Sequence, residues 1–292
     1  SLGVRMRPIP VGEAMKRVSL GYFSEVSTGN ILSSITTGLN TLENMGIIPE
    51  SSHHEHGPGQ NEIDFQYAGA LKAADNAMSF KTTVRTIANQ YGLCASFLPK
   101  PLRDESGNGL HINLSIERGG INIFEQQDGQ LSLDAQHAIA GILSRIREIS
   151  LFLNPLPSSY QRLGCWEAPK RINWSFGNRS QLVRIPAAHP GAGRMELRSP
   201  DPACNPYLAF ALVLAAAMEG ITEVTPLQAP LDDSGSLPES LEEAISLAEK
   251  SAFIREVLPE NVIDAYLAEK KKTAARFEAD ANAVFQQHLR TI

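Results

Sequence analysis

The sequence predicts a mixed domain in which helices and strands alternate along the chain. Two observations carry this. Apolar residues recur at helical spacing in several stretches, as in Ile31, Ile35, Leu39 and Leu42, and alternate at strand spacing in others, as in Leu110, Ile112, Leu114 and Ile116. The two kinds of stretch are interspersed, yet neither G-x-G-x-x-G nor G-x-x-x-x-G-K-[ST] occurs, so a Rossmann or P-loop nucleotide site is disfavoured. At 292 residues, 42% of them hydrophobic, the chain is long enough to bury a large core.

Taken in order, residues 1–30 carry Pro8, Pro10, Gly12, Gly21 and Gly29 and read as a loop-rich lead-in with one short strand around Gly21-Tyr22-Phe23. Ser1-Leu2 reads as an expression-vector remnant, and residues 1–20 are set apart as an irregular lead-in segment. A helix runs over Ile31–Met45 and stops at Gly46. Ile47-Ile48 begins a strand, and Glu62 and Asp64 alternate with Ile63 and Phe65 on the next. Tyr67–Gln90 is helical with Gly92 as terminator, and Leu93–Leu98 is a strand stopped by Pro99 and Pro101. Leu110–Ile116 is a half-buried strand with His111, Asn113 and Ser115 on its polar face. Gly119-Gly120 and Gln127-Asp128-Gly129 are turns. Ser132 caps a long amphipathic helix to Leu153. Residues 154–180 have little periodicity and read as a long irregular loop, the kind that is usually functional or disordered. Leu182–Ile185 and Arg194–Arg198 are strands. Asn205-Pro206 opens a helix to Gly220, residues 225–238 are an exposed loop, and Leu241–Lys250 and Asn261–His288 are helices.

Composition excludes several function classes. Net charge is −6 and no long basic run occurs, so nucleic acid is not expected as a partner. No apolar run reaches the about 18 residues of a membrane span, and no signal-peptide pattern opens the chain. Cys94, Cys165 and Cys204 are far apart with no C-x-x-C, which fits a reducing cytoplasm better than a disulfide framework.

The chemistry-bearing stretch is Ser52–Asp64. It packs His53, His54, His56, Glu55, Glu62 and Asp64 around a Gly-Pro-Gly turn. Taken alone it is either a solvated His-rich turn or a metal site in which Glu55 and Glu62 need a cation to offset their repulsion. Three strands present polar faces: Glu62/Asp64, His111/Asn113/Ser115 and Arg194/Glu196/Arg198. Each alone reads as solvated surface, but together they are better explained by a shared cavity, because charges inside a sheet face are costly unless paired or liganded. Glu55, Glu62, His111 and Glu196 make an oxygen-rich set with one imidazole, suited to Mg²⁺ or Mn²⁺ rather than structural zinc. Arg162, Arg179, Arg184, Arg194 and Arg198 read either as surface ion pairs or as a clamp. Metal ions with an arginine clamp are the hardware of phosphoryl transfer.

At this point the residues resemble a family. His53-His54-Glu55-His56-Gly57-Pro58-Gly59-Gln60-Asn61-Glu62, Phe97-Leu98-Pro99-Lys100-Pro101, Gly107-Asn108-Gly109-Leu110-His111, Asn178-Arg179-Ser180 with Arg184-Ile185-Pro186, and Arg194–Pro202 followed by Asn205-Pro206-Tyr207-Leu208-Ala209 are similar to glutamine synthetase, in the family's order. The resemblance implies an α+β fold, the glutamine synthetase/guanidino kinase-like catalytic domain, with a curved, mostly antiparallel sheet and helices packed on its outer side. Residues 21–292 would be that domain, the C-terminal part of a longer protein. It implies glutamine synthesis from L-glutamate, ammonia and ATP through γ-glutamyl phosphate, with two Mg²⁺ or Mn²⁺ ions and assembly into rings.

Carried over by position, the resemblance makes Glu55 and Glu62 ligands of the first metal, and His111 and Glu196 ligands of the second. Arg162, Arg198 and Gly107 belong to the glutamate site. Glu167 matches the flap glutamate that shields the intermediate and helps deprotonate ammonium. Arg179, Arg184 and Arg194 match nucleotide-phosphate arginines, and Ser115 and His53 line the ATP pocket. His54 and His56 are left structural or solvent-facing. Departures accompany it. In the family an E-x-E pair on an earlier strand gives one ligand to each metal, and no such pair precedes Gly21. The small N-terminal β-domain has no counterpart. Asn113 stands where a second histidine is usual, and Ser106 where an asparagine is. The expected function is therefore glutamine synthesis by the parent protein, with this region alone inactive or nearly so. The alternatives are a relative that joins glutamate to another amine, such as a polyamine, and a non-catalytic relative.

Overall fold

The computed structural model describes residues 2–8, 25–126, 130–187, 192–231 and 235–292. The expected strand at Gly21–Phe23 and the turn at Gln127-Asp128-Gly129 lie outside them. Two four-stranded sheets position the site. In the first, β2 (Pro49–His54), β3 (Gln60–Phe65), β1 (Leu2–Pro8) and β4 (Leu93–Ser96) lie in that order, all antiparallel. The second has the order β5 (Ile112–Leu114), β10 (Met195–Leu197), β9 (Val183–Ile185), β8 (Trp174–Phe176), antiparallel except for the parallel β8–β9 pair. A small hairpin, β6 (Glu117–Arg118) and β7 (Ile121–Asn122), turns through Gly119-Gly120, both at positive φ. The mostly antiparallel α+β architecture is as expected.

The helices are α1 (Glu25–Asn44), α2 (Ala70–Gln90), α3 (Leu133–Leu153), α4 (Pro157–Arg162), α5 (Pro206–Thr222), α6 (Leu241–Lys250), α7 (Ala252–Val257), α8 (Glu260–Ala279) and α9 (Ala281–Thr291). Their ends follow the sequence signals. Ser132 Oγ accepts from the Ala135 N–H at the start of α3. Asn205 accepts from the N–H groups of Tyr207 and Leu208, with Pro206 in the first turn of α5. The core joins the layers: Phe80 of α2 meets Phe65 of β3 and Phe97 beyond β4 edge to face, at 4.8 and 5.8 Å. Helices α3 and α5 cross at Gly141 and Gly220. A Cβ on Gly141 would lie 2.1 Å from the Ala216 carbonyl oxygen, and one on Gly220 would lie 2.1 Å from that of His137, so the two backbones touch and only glycine fits. None of the described helices is long and apolar enough to cross a membrane.

Four expectations are corrected. Leu2–Pro8 is not irregular but an inner strand of the first sheet; Leu2, Val4 and Met6 alternate with Gly3, Arg5 and Arg7, and this period of two prevails over the proline punctuation that follows. The 154–180 stretch contains α4, which starts on Pro157, and β8, which pairs with β9. The Leu110–Ile116 strand contracts to Ile112–Leu114, because the Leu110 N–H bonds to the Pro200 carbonyl and the Ile116 carbonyl accepts from Ile123. The last helix breaks at Asp280, whose carboxylate caps α9 by accepting from the Ala283 N–H.

Candidate active site

The β2–β3 turn folds as its Gly-Pro-Gly sequence requires. Gly59 adopts φ +65°, Gln60 N–H bonds to Gly57 O, and Glu55 N–H bonds to Gln60 O. The turn brings Glu55 back beside β3. The register pairs His53 with Glu62 across the two strands. His53 Nε2 lies 3.0 Å from Glu55 Oε1 and 3.8 Å from Glu62 Oε2. One ligand atom from each of the three side chains falls within 4.8 Å of the others, which fits a divalent cation. Burial pushes the Glu55 carboxyl up, but hydrogen bonding with Glu62, His53 and the His56 N–H outweighs it, and the net shift is downward. The neighbouring Asp64 accepts from Ser51 instead and stays out of the cluster.

Gln60 ties this turn to the next loop. Its Oε1 accepts from the Gly57 N–H and from Ser106 Oγ, and its Nε2 donates to Gly107 O and Asn108 Oδ1. Gly107 must be glycine here, since a Cβ would meet the Pro99 carbonyl oxygen at 2.4 Å.

In the second sheet, Glu196 is the centre of charge. Its Oε2 accepts from Arg184 Nη1 at 2.6 Å and its Oε1 from Arg198 Nη1 at 3.0 Å, while His111 Nδ1 lies 3.1 Å from Oε1. Burial pushes this carboxyl up, but His111, Arg198 and Arg184 overcome it and hold it well below the usual carboxylate range. Burial, with help from the Arg198 charge, lowers His111 to about 4, so the ring is neutral near pH 7. The Nε atoms of both Arg184 and Arg198 are buried without a hydrogen-bond partner among the described residues, donors left over for an anion. Buried Arg162 donates to the carbonyls of Ser199 and Arg198, 2.8 and 3.2 Å away. His111, Asn113 and Ser115 line a cavity of about 300 Å³ with Phe65, Tyr67 and Phe210.

A family model for the glutamine synthetase catalytic domain matches residues 5–287. The chain belongs to the glutamine synthetase family. It is 44% identical to a glutamine synthetase of Methanosarcina mazei over 255 residues, which are 82% of this chain and 57% of that protein. It is 39% identical to that of Thermotoga maritima over 253 residues (81% and 58%) and 37% identical to that of Mycobacterium tuberculosis over 292 residues (93% and 64%). The chain thus spans under two thirds of the length of these relatives. A solved GmaS–ADP complex superposes with a TM-score of 0.82 at 29% identity, covering 95% of this chain and 69% of that one.

The residues expected to carry the family's chemistry fall into two groups in the structure. Glu55 and Glu62 stand together with His53, which is not among the residues lining the 300 Å³ cavity. His111 and Glu196 stand together with Arg184 and Arg198, and Glu167 reaches Arg198 at 3.7 Å from an exposed position. Arg194 donates to Asn113 Oδ1. Arg179 is exposed in the turn after β8 and makes no hydrogen bond or ion pair among the described residues. His54 and His56 are exposed. Sequence reasoning missed Gln60, Asn154 and Asp201. Asn154 Nδ2 donates to Ser199 O and Asp201 Oδ2, which holds the segment whose carbonyls accept from Arg162. The signal for them is a polar side chain beside a strand or helix end, which burial alone distinguishes from surface.

Proposed function

We propose that this chain is the catalytic region of a ligase that joins ammonia to the γ-carboxylate of L-glutamate, with ATP as phosphoryl donor and γ-glutamyl phosphate as intermediate. The observation that carries this reading is the carboxylate Glu196 held between two guanidinium groups and an imidazole, with both buried Nε donors unspent among the described residues. The two cation positions are Glu55 with Glu62, and His111 with Glu196. Bound there, Mg²⁺ or Mn²⁺ neutralises charge on the phosphates. Neutral His111 offers a lone pair at about pH 7 without first losing a proton. Arg184 and Arg198, each with a buried Nε free among the described residues, would bind anionic oxygens of the substrates. Arg198 and Arg162 hold the glutamate γ-carboxylate, and the Gly107 backbone borders it, its closeness to Arg162 enforced by the missing Cβ. Arg179, Arg184 and Arg194 neutralise the nucleotide phosphates, and Ser115 borders the nucleotide in the cavity. Glu167, paired with Arg198, shields the acyl phosphate from water and accepts a proton from ammonium. Family membership also supports self-association as rings.

The test is phosphate release from ATP by the full gene product with glutamate, comparing ammonium with a panel of organic amines. The expected result is release that saturates with ammonium. Release with an organic amine alone, or none with either, overturns the proposal.

A further inference from the structure

A second cavity, of about 310 Å³, lies between the loop after β4, helix α4 and helix α9. It falls within the size range of small-molecule pockets, about 300–1,000 Å³. Its charged lining has one sign: Lys100 and Arg103 line it from the loop, and among the described residues no Asp or Glu does. Lys100 is 5% exposed, and its Nζ donates to the Glu105 backbone carbonyl at 2.5 Å. Neither Lys100 nor Arg103 makes an ion pair among the described residues. A buried ammonium is costly unless an anion pairs with it, and one neutral carbonyl leaves donors unused. Ser158 of α4 lines the same cavity, is 7% exposed, and its Oγ has no hydrogen-bond partner among the described residues. Gln161 and Asn282 add amide groups, and Leu98, Val284 and Phe285 supply an apolar wall.

We propose that this cavity is a regulatory site for a small organic carboxylate, its charge held by Lys100 and Ser158 and its apolar body set against Leu98, Val284 and Phe285. The cavity shares no lining residue with the Glu55–Glu62 cluster, the His111–Glu196 cluster or the 300 Å³ cavity. Its walls nevertheless lead to the proposed glutamate site. Arg162 follows Gln161 on α4. Pro99 precedes Lys100, and its carbonyl accepts from the Asn108 N–H at 2.8 Å. A Cβ on Gly107 would lie 2.4 Å from that carbonyl oxygen and 2.9 Å from Arg162 Cγ, so loop and helix touch there. A ligand that bridges Lys100 and Ser158 ties together the same two segments that set Gly107 against Arg162. Its occupancy favours one spacing of those segments and so changes glutamate affinity, and linkage makes the effect reciprocal. This regulatory half rests on the reading of Arg162 and Gly107 as the glutamate site; the ligand site itself does not.

The probe is para-fluorobenzoate, followed by ¹⁹F line broadening on the purified chain, with neutral para-fluorobenzamide as its isostere. The expected result is that the anion binds about tenfold or more tightly than the amide. Lys100→Met should weaken the anion about tenfold or more, and so, independently, should Ala281→Trp, which fills the cavity from α9. Circular dichroism checks that both variants are folded. Equal binding of anion and amide, no binding of the anion at millimolar concentration, or binding unchanged in Ala281→Trp overturns the site. Phosphate release by the full gene product, with glutamate varied, is then measured with and without saturating probe. The expected result is a change of about fivefold or more in the KM for glutamate that vanishes in Ala281→Trp. A KM unmoved by the probe, or a change that persists in Ala281→Trp, overturns the regulatory half. No phosphate release without the probe overturns the proposed function and takes the regulatory half with it, while the first titration still decides the ligand site.

Discussion

At the scale of the residue, the site is built from charges that are buried with their partners. His111 shows how this couples to pH. Its folded-state pKa of about 4 lies below the ordinary 6.5, because burial and the Arg198 charge outweigh the attraction of Glu196. Between those values the unfolded chain binds a proton that the folded chain does not. Stability therefore rises with pH across this window, and is lost as pH falls from 6.5 toward 4. Urea unfolding in the presence of chelator should show this slope, and His111→Asn should flatten it. Asp201 is the second case. It is fully buried, and burial raises its carboxyl against the opposing pull of Arg162 and hydrogen bonds from Asn154 and Ser159. Arg162 in turn is lowered to about 10 by burial, with Asp201 the opposing charge. Asp201→Asn keeps the shape and removes the charge that offsets Arg162, so it should cost about 3 kcal/mol in urea unfolding. A change below about 0.5 kcal/mol, the range of an ordinary surface substitution, would show that the two charges are not coupled.

At the scale of the element, glycines in helices make opposite predictions. Gly141 sits where α3 touches α5, and an added methyl meets a backbone carbonyl that cannot step aside. Gly141→Ala should destabilise by about 3 kcal/mol. Gly38 in α1 has nothing within 4 Å of an added Cβ, so Gly38→Ala should stabilise by about 0.5–1 kcal/mol through helix propensity. Thermal unfolding of the two variants reads both signs. The elements also show where the sequence is legible. The caps at Ser132 and Asn205 and the stop at Gly46 are local signals, and the helices begin and end within a few residues of them. The meeting of Glu55 with Glu62 was legible for the same reason, since the His53–Glu62 turn is one continuous segment. Strand β1 was not, because two prolines at its end looked like loop while its pairing partners lie far along the chain. Gln60 and Asp201 were not, because hydrogen bonds across long sequence separations define their roles. The resemblance places His53 at the nucleotide pocket, and the strand register adds that it stands opposite Glu62.

At the scale of the molecule, the two sheets each supply one cluster of candidate ligands, and the helices behind them form the core that fixes both. On the proposed function, the Glu55–Glu62 cluster holds a cation, and that cation and the free arginine donors together meet a metal-bound nucleotide. Under the proposed function, nucleotide binding by this chain is conditional on the metal. Calorimetric titration of the purified chain with ADP, in excess Mn²⁺ and again in EDTA, tests it most directly. The expected result is binding with Mn²⁺ that weakens about a hundredfold or more in EDTA and in a Glu62→Gln variant, because the phosphates lose the charge that neutralises them. Equal ADP affinity with and without metal, in the unaltered chain, would contradict it.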